Sequence, residues 1–127
     1  MVQKDENIYK YLVDNSTDVI YLLSLDGEIQ FISPSVETVF GYTPEEVRSK
    51  NIRTFLTNDS YKKQDIAMKR ALMENDSDIS EKLTTQVKNK KGEILLVEIH
   101  ARFIFDKNNY LSGVLGVARE VTERQTH

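Results

Sequence analysis

The segment Leu111 to Val121 is apolar on both of its faces and carries Gly113 and Gly116. It follows the turn residues Asp106-Lys107-Asn108-Asn109, so it reads as a strand with no solvent side. A strand buried on both faces belongs in the middle of a sheet whose back is covered. Just upstream, Leu95, Val97, Ile99, Ala101 and Phe103 alternate with Glu98, His100 and Arg102, the pattern of a strand with one inward face. Before that, Leu83, Thr85 and Val87 alternate with Thr84, Gln86 and Lys88, and Asn89-Lys90-Lys91-Gly92 supplies a turn. Three strands joined by hairpin-type turns make an antiparallel sheet.

The first half adds two more strands. Val19 to Leu25 runs into Asp26-Gly27, the strongest short hairpin signal in the chain, and Ile29 to Ile32 returns. Ser33-Pro34 ends that strand, because proline has no N–H for a sheet ladder. Short helical pieces follow. Ser35 to Phe40 stops at Gly41. Thr43 caps the next piece, with Pro44 at its first position and Glu46 completing a capping box. Asn51 to Leu56 is a brief helical segment, and Asn58-Asp59 offers caps for a longer helix from Ser60 to Glu74. At the start of the chain, Ile8, Tyr9, Tyr11 and Leu12 share one side of a short amphipathic helix, Asp5 to Val13. Helix, two strands, a helical block and three strands is an α+β order.

A chain of 127 residues is one domain's worth. Seventeen basic residues against 20 acidic give a net charge of −3, which argues against a nucleic-acid binder. With no cysteine, disulfides, thiolate metal sites and thiol nucleophiles are excluded. No apolar run approaches the ~18 residues of a membrane span, and Met1 to Glu6 lacks the apolar core of a signal peptide. A cytoplasmic location is expected, within a larger and even membrane-anchored protein, without direct insertion of this chain. The two histidines pair with no serine in a nucleophile motif, and there is no glycine-rich nucleotide loop. The chain is therefore expected to be no enzyme, and no metal site is expected.

Four stretches together resemble the PAS domains, the sensory modules of sensor histidine kinases and related signalling proteins. They are Asp18-Val19-Ile20-Tyr21-Leu22 through Asp26-Gly27-Glu28-Ile29 to Ser33-Pro34-Ser35; Val39-Phe40-Gly41-Tyr42-Thr43-Pro44-Glu45-Glu46-Val47; Lys91-Gly92-Glu93; and Gly116-Val117-Ala118-Arg119-Glu120-Val121-Thr122-Glu123-Arg124. The second is highly specific, and all four stand in family order. The resemblance implies a five-stranded antiparallel sheet of order 2-1-5-4-3, helices on one face and the N-terminal helix on the other. It divides the chain into a flanking helix (1–14), a PAS core (15–124) and the start of a linker to an output domain (125–127). Two positions depart from the family pattern. Glu120 stands where aspartate is usual, and Thr57-Asn58 replaces the usual His-Pro.

The resemblance implies a small-ligand space between helices and sheet. Its expected lining is Ile20, Leu22, Phe40, Ile52, Phe55, Ile66, Leu95, Val97, Ile99, Val114 and Ala118, all apolar. A ligand there is expected to be small and mostly apolar. Related flavin photosensors carry an Asn-Cys-Arg motif; here the matching stretch is Asn51-Ile52-Arg53, so no covalent flavin adduct forms. A cinnamoyl thioester also lacks its cysteine, and a non-covalent flavin has no tryptophan to stack on. Haem PAS domains carry their histidine on the long helix, and Ser60 to Glu74 has none. Output is expected to pass through Glu120, Thr122 and Arg124 to a covalently linked domain. Leu96, Ile104, Leu115 and Val117, with Ile8 and Leu12, are expected on the outer sheet face as a homodimer contact. The other reading is a ligand-free protein–protein interaction module, distinguished by a filled interior.

Overall fold

The structure, a computed structural model, describes residues 17–74 and 83–121. The expected helix Asp5 to Val13 lies outside the described residues, as do Thr122, Arg124 and the linker start.

Nine elements are found among the described residues. Strand β1 (Val19–Leu23) turns into β2 (Ile29–Ile32). Helices α1 (Ser35–Phe40) and α2 (Pro44–Val47), a 3-10 helix (Ile52–Phe55) and helix α3 (Asn58–Met73) follow. Strands β3 (Leu83–Lys88), β4 (Ile94–Phe105) and β5 (Leu111–Glu120) close the chain. All five strands form one antiparallel sheet in the order β2-β1-β5-β4-β3. Strand β5 is central, where its two-sided apolarity requires it to be.

Local chemistry sets the ends of these elements. Strand β1 stops at Leu23, two residues before the expected end, because Ser24 starts the turn. Its carbonyl accepts from Gly27 N at 3.0 Å and its hydroxyl from Glu28 N at 3.1 Å. Between Leu22 and Leu23 the β1–β2 register shifts, which lets Ile29 and Ile32 both face inward although two residues, an even number, separate them. Helix α1 ends at Gly41, whose φ of 85° is the left-handed conformation that glycine adopts without a Cβ penalty. The capping box at α2 forms as read: Thr43 Oγ1 accepts from Glu46 N, and Glu46 Oε1 accepts from Thr43 N at 2.7 Å. Helix α3 begins two residues earlier than expected. Thr57, not Asn58 or Asp59, is its cap, accepting from Ser60 N at 3.3 Å.

The helices cover one face of the sheet, with α1 against β1, α2 against β2 and α3 against β3. The core fills the space between. From β1 it takes Val19, Tyr21 and Leu23; from β4, Val97, Ile99 and Phe103; from β5, Val114 and Ala118. Phe40 and Val47 close it from the helical side. The opposite face is outer: Ile20 pairs with Val117, and Leu22 lies between Phe31 and Leu115.

Candidate functional site

An apolar cavity of about 50 Å³ lies between the sheet and the helical block. Phe40, Ile52, Phe55, Ile99 and Ala118 line it, as the sequence led us to expect. The other expected residues lie elsewhere. Ile20 and Leu22 point to the outer face, because Val19, Tyr21 and Leu23 take the inner side of β1. The stretch Val-Ile-Tyr-Leu-Leu is apolar at every position, so its sequence carries no parity, and a one-residue slip exchanges the faces. Ile66 is 58% exposed on α3, consistent with the loose apolar face of that helix. Val97 is fully buried in the core and does not line the cavity, Leu95 packs beside the core, and Val114 faces a neighbouring cleft. The sequence reading missed the other nine lining residues, among them Val19, Tyr21, Ile29, Ile32, Val36 and Tyr42. The β-bulge that brings Ile29 and Ile32 inward together left no sequence signal.

Most of the wall is fully buried. Tyr42, Ile52 and Val87 are half-buried and mark the side nearest solvent. Tyr42 packs edge-on against Phe55 with ring centroids 5.0 Å apart. Burial, and then the nearby Glu46 carboxylate, push its hydroxyl above the usual tyrosine value. Beside it, Lys90 Nζ lies 2.6 Å from Glu46 Oε2, and Lys90 N donates to Phe40 O at 3.0 Å. The β3–β4 turn is thus tied by side chain and backbone to the α1–α2 junction. The Glu46 carboxyl is held below its ordinary range by the Lys90 hydrogen bond and the Thr43 N–H, and Lys90 is raised by the same partner.

A second cleft, of about 80 Å³, shares Ile52 with the cavity and has a more polar rim including Asn51, Gln64 and Asp65. Asn51 is engaged: it donates to Asp26 O at 2.8 Å and accepts from Arg53 N at 3.0 Å. Gln64 Nε2 is buried and finds no partner among the described residues.

A flavin is the cofactor to test against this wall. Its ring has a polar edge that needs hydrogen-bonding groups once buried. The cavity presents carbon, with only the tyrosines Tyr21 and Tyr42 carrying side-chain oxygen, and its volume is small for a three-ring system. These residues do not match a flavin. Ile52 lines the cavity with an alkyl side chain, and His100 stands exposed on the outer face, away from the cavity. Among the described residues, no group of three or more histidine or acidic side chains is placed to hold a metal.

At the far end of the sheet, Glu120 ends β5, half-buried opposite Val97 on the helix side. Beside it on the outer face, Arg119 Nε and an η-nitrogen each lie 3.3 Å from the Asp18 carboxylate at the start of β1. Hydrogen bonding to Asp18 raises the Arg119 guanidinium further. This pair was missed in the sequence; only the β1–β5 register brings residues so far apart in the chain together.

The model of the PAS domain matches residues 17–123. The chain belongs to the PAS domain family. It is 20% identical to sporulation kinase C of Bacillus subtilis (strain 168) over 114 residues, 90% of this chain and 26% of that protein. It is 42% identical to the blue light receptor lreA of Aspergillus flavus over 45 residues, 35% of this chain and 5% of that protein. The chain thus spans a minor part of the curated relatives it matches. Its fold is similar to the crystal structure of a PAS domain from Colwellia psychrerythraea, with a TM-score of 0.83 and 20% identity over 94% of this chain and 99% of that one. It is also similar to a PAS domain from a two-component sensor histidine kinase, with a TM-score of 0.73 and 17% identity over 94% and 99%. At these identities the likeness is one of fold.

Proposed function

We propose that this PAS domain is the sensory module of a signal-transduction protein of the sensor histidine kinase type. It takes up a small, mostly apolar ligand and passes a conformational change to a covalently linked output domain. The observation that carries this reading is the apolar cavity lined by Tyr21, Ile99 and Ala118, residues of three adjacent strands that include the central β5. That strand ends at Glu120, five residues before the expected start of the linker at 125. A ligand works as a signal if it favours one of two arrangements of the sheet. Catalysis belongs, in this reading, to the output domain and not to this chain. A kinase is named among the relatives and a two-component kinase among the solved neighbours, which favours that class of output.

The reading includes a homodimer through the outer face, where Phe31 and Leu115 are 38% and 37% exposed beside Leu22 and Val117. It also includes a cytoplasmic location; among the described residues no helix is long and apolar enough to cross a membrane.

Native mass spectrometry of freshly purified protein, with an absorption spectrum of the same sample, tests the ligand. A retained colourless mass of a few heavy atoms is the expected result. A yellow sample carrying a flavin mass overturns the apolar assignment. A bare polypeptide that also takes up no apolar gas under pressure favours the ligand-free interaction module.

A further inference from the structure

Tyr21 is a large, fully buried side chain that lines the cavity and at the same time presses on the central strand. It lies opposite Gly116 in the β1–β5 register. A Cβ built on Gly116 would stand 2.3 Å from the ring carbon Cζ and 2.5 Å from both Cε1 and the hydroxyl oxygen. No real side chain tolerates such distances, so the ring rests directly on the backbone of β5, in space that only glycine leaves open. One face of this contact belongs to the ligand space and the other to the strand that leaves the domain four residues later, at Glu120.

We propose that Tyr21 is the residue that converts occupancy of the cavity into a displacement of β5, with Gly116 as the point of contact. This rests on the reading of the cavity as a ligand site. The physical reason is packing. An interior at near-crystalline density does not yield continuously, and a ring pressed toward β5 meets backbone rather than a flexible side chain. The coupling is steric, so it needs the ring and not the hydroxyl. Ala118 also lines the cavity from β5, but its methyl is the smallest group through which a ligand touches that strand.

The test uses the 127-residue chain and xenon under pressure, a probe that enters dry apolar cavities. The methyls of Ile29, Val47 and Ile99 report occupancy by NMR. The amide of Val121, which donates to Leu96 O at 2.9 Å just beyond β5, reports the strand end. Saturable shifts at both sets are expected in the wild type, and Tyr21→Phe keeps both. In Tyr21→Leu the Val121 response, compared at equal occupancy read from that variant's own methyl shifts, is expected to fall at least about threefold. Should Tyr21→Leu fail to fold, Tyr21→Met is read in the same way. A Val121 response of wild-type size in the non-aromatic variant overturns the proposal and assigns the coupling to Ala118. The absence of any saturable methyl shift in the wild type overturns the ligand reading itself, and the proposal falls with it.

Discussion

Phe40 closes the cavity from the helical side, 7% exposed at the last position of α1. Phe40→Ala is expected to cost about 3–5 kcal/mol, the range for a buried phenylalanine whose cavity does not collapse. Urea denaturation measures the loss, and the enlarged space should then admit benzene, detectable by ligand-observed NMR. Thr43 works through its hydroxyl, which accepts from Glu46 N at the start of α2. Thr43→Ala is expected to lower stability by about 1 kcal/mol, and Thr43→Ser should recover most of it in the same denaturation assay. Both residues stand in a stretch whose roles are local, and both were legible from the chain: the glycine stop after Phe40 and the Thr-Pro-Glu-Glu start need no distant partner. Ile20 and Tyr21 are the contrary case. Adjacent apolar residues in a strand cannot declare their faces, and the face was settled by pairing with β5.

The β3–β4 turn is the element whose behaviour depends on charge. Glu46 has its carboxyl pKa lowered, first by the hydrogen bond from Lys90. Its contribution to stability is present above the ordinary carboxylate value and is lost as pH falls through the lowered one. Lys90 has its pKa raised, so its contribution is present below the ordinary lysine value and fades as pH rises through the raised one. The pair is thus fully in place from about pH 5 to about pH 10. Lys90→Met is expected to lower the thermal midpoint slightly at neutral pH, since surface pairs contribute little. The gap should close on acidification once Glu46 is protonated in both proteins. A Tm difference unchanged from pH 7 to pH 2 would show that the loss does not come from the Lys90–Glu46 ion pair. The turn itself was readable from Asn89-Lys90-Lys91-Gly92; that it lands on α1 and α2 was not, because the contact spans the whole width of the domain.

For the whole molecule, the outer face carries the proposed homodimer contact. Leu22, Phe31 and Leu115 line up across three neighbouring strands, and Val117 adjoins them. A contiguous apolar patch of this kind marks an interaction surface. Leu115→Lys is expected to abolish self-association in sedimentation velocity while leaving the cavity-reporting methyl spectrum intact. A wild type that sediments as a monomer at millimolar concentration would remove the homodimer from the reading. The pair Asp18–Arg119 lies on the same face and joins the first strand to the last, so Arg119→Met should loosen that end of the β1–β5 pairing without touching the core.

The sequence by itself determined which segments are strands, where helix α1 starts and stops, where α2 starts, and that β5 lies at the centre of the sheet. Each of these follows from alternation, from turn chemistry or from two-sided apolarity, which are properties of neighbours along the chain. The apolar character of the cavity was also legible, since nearly every inward side chain is hydrocarbon. Only the tertiary structure decided which side of β1 faces the helices, that a bulge turns Ile29 and Ile32 inward together, and that Thr57 rather than Asn58 caps α3. It alone set the Tyr21 ring against Gly116. These depend on register, and register is fixed when strands distant in sequence pair to bury one face in common.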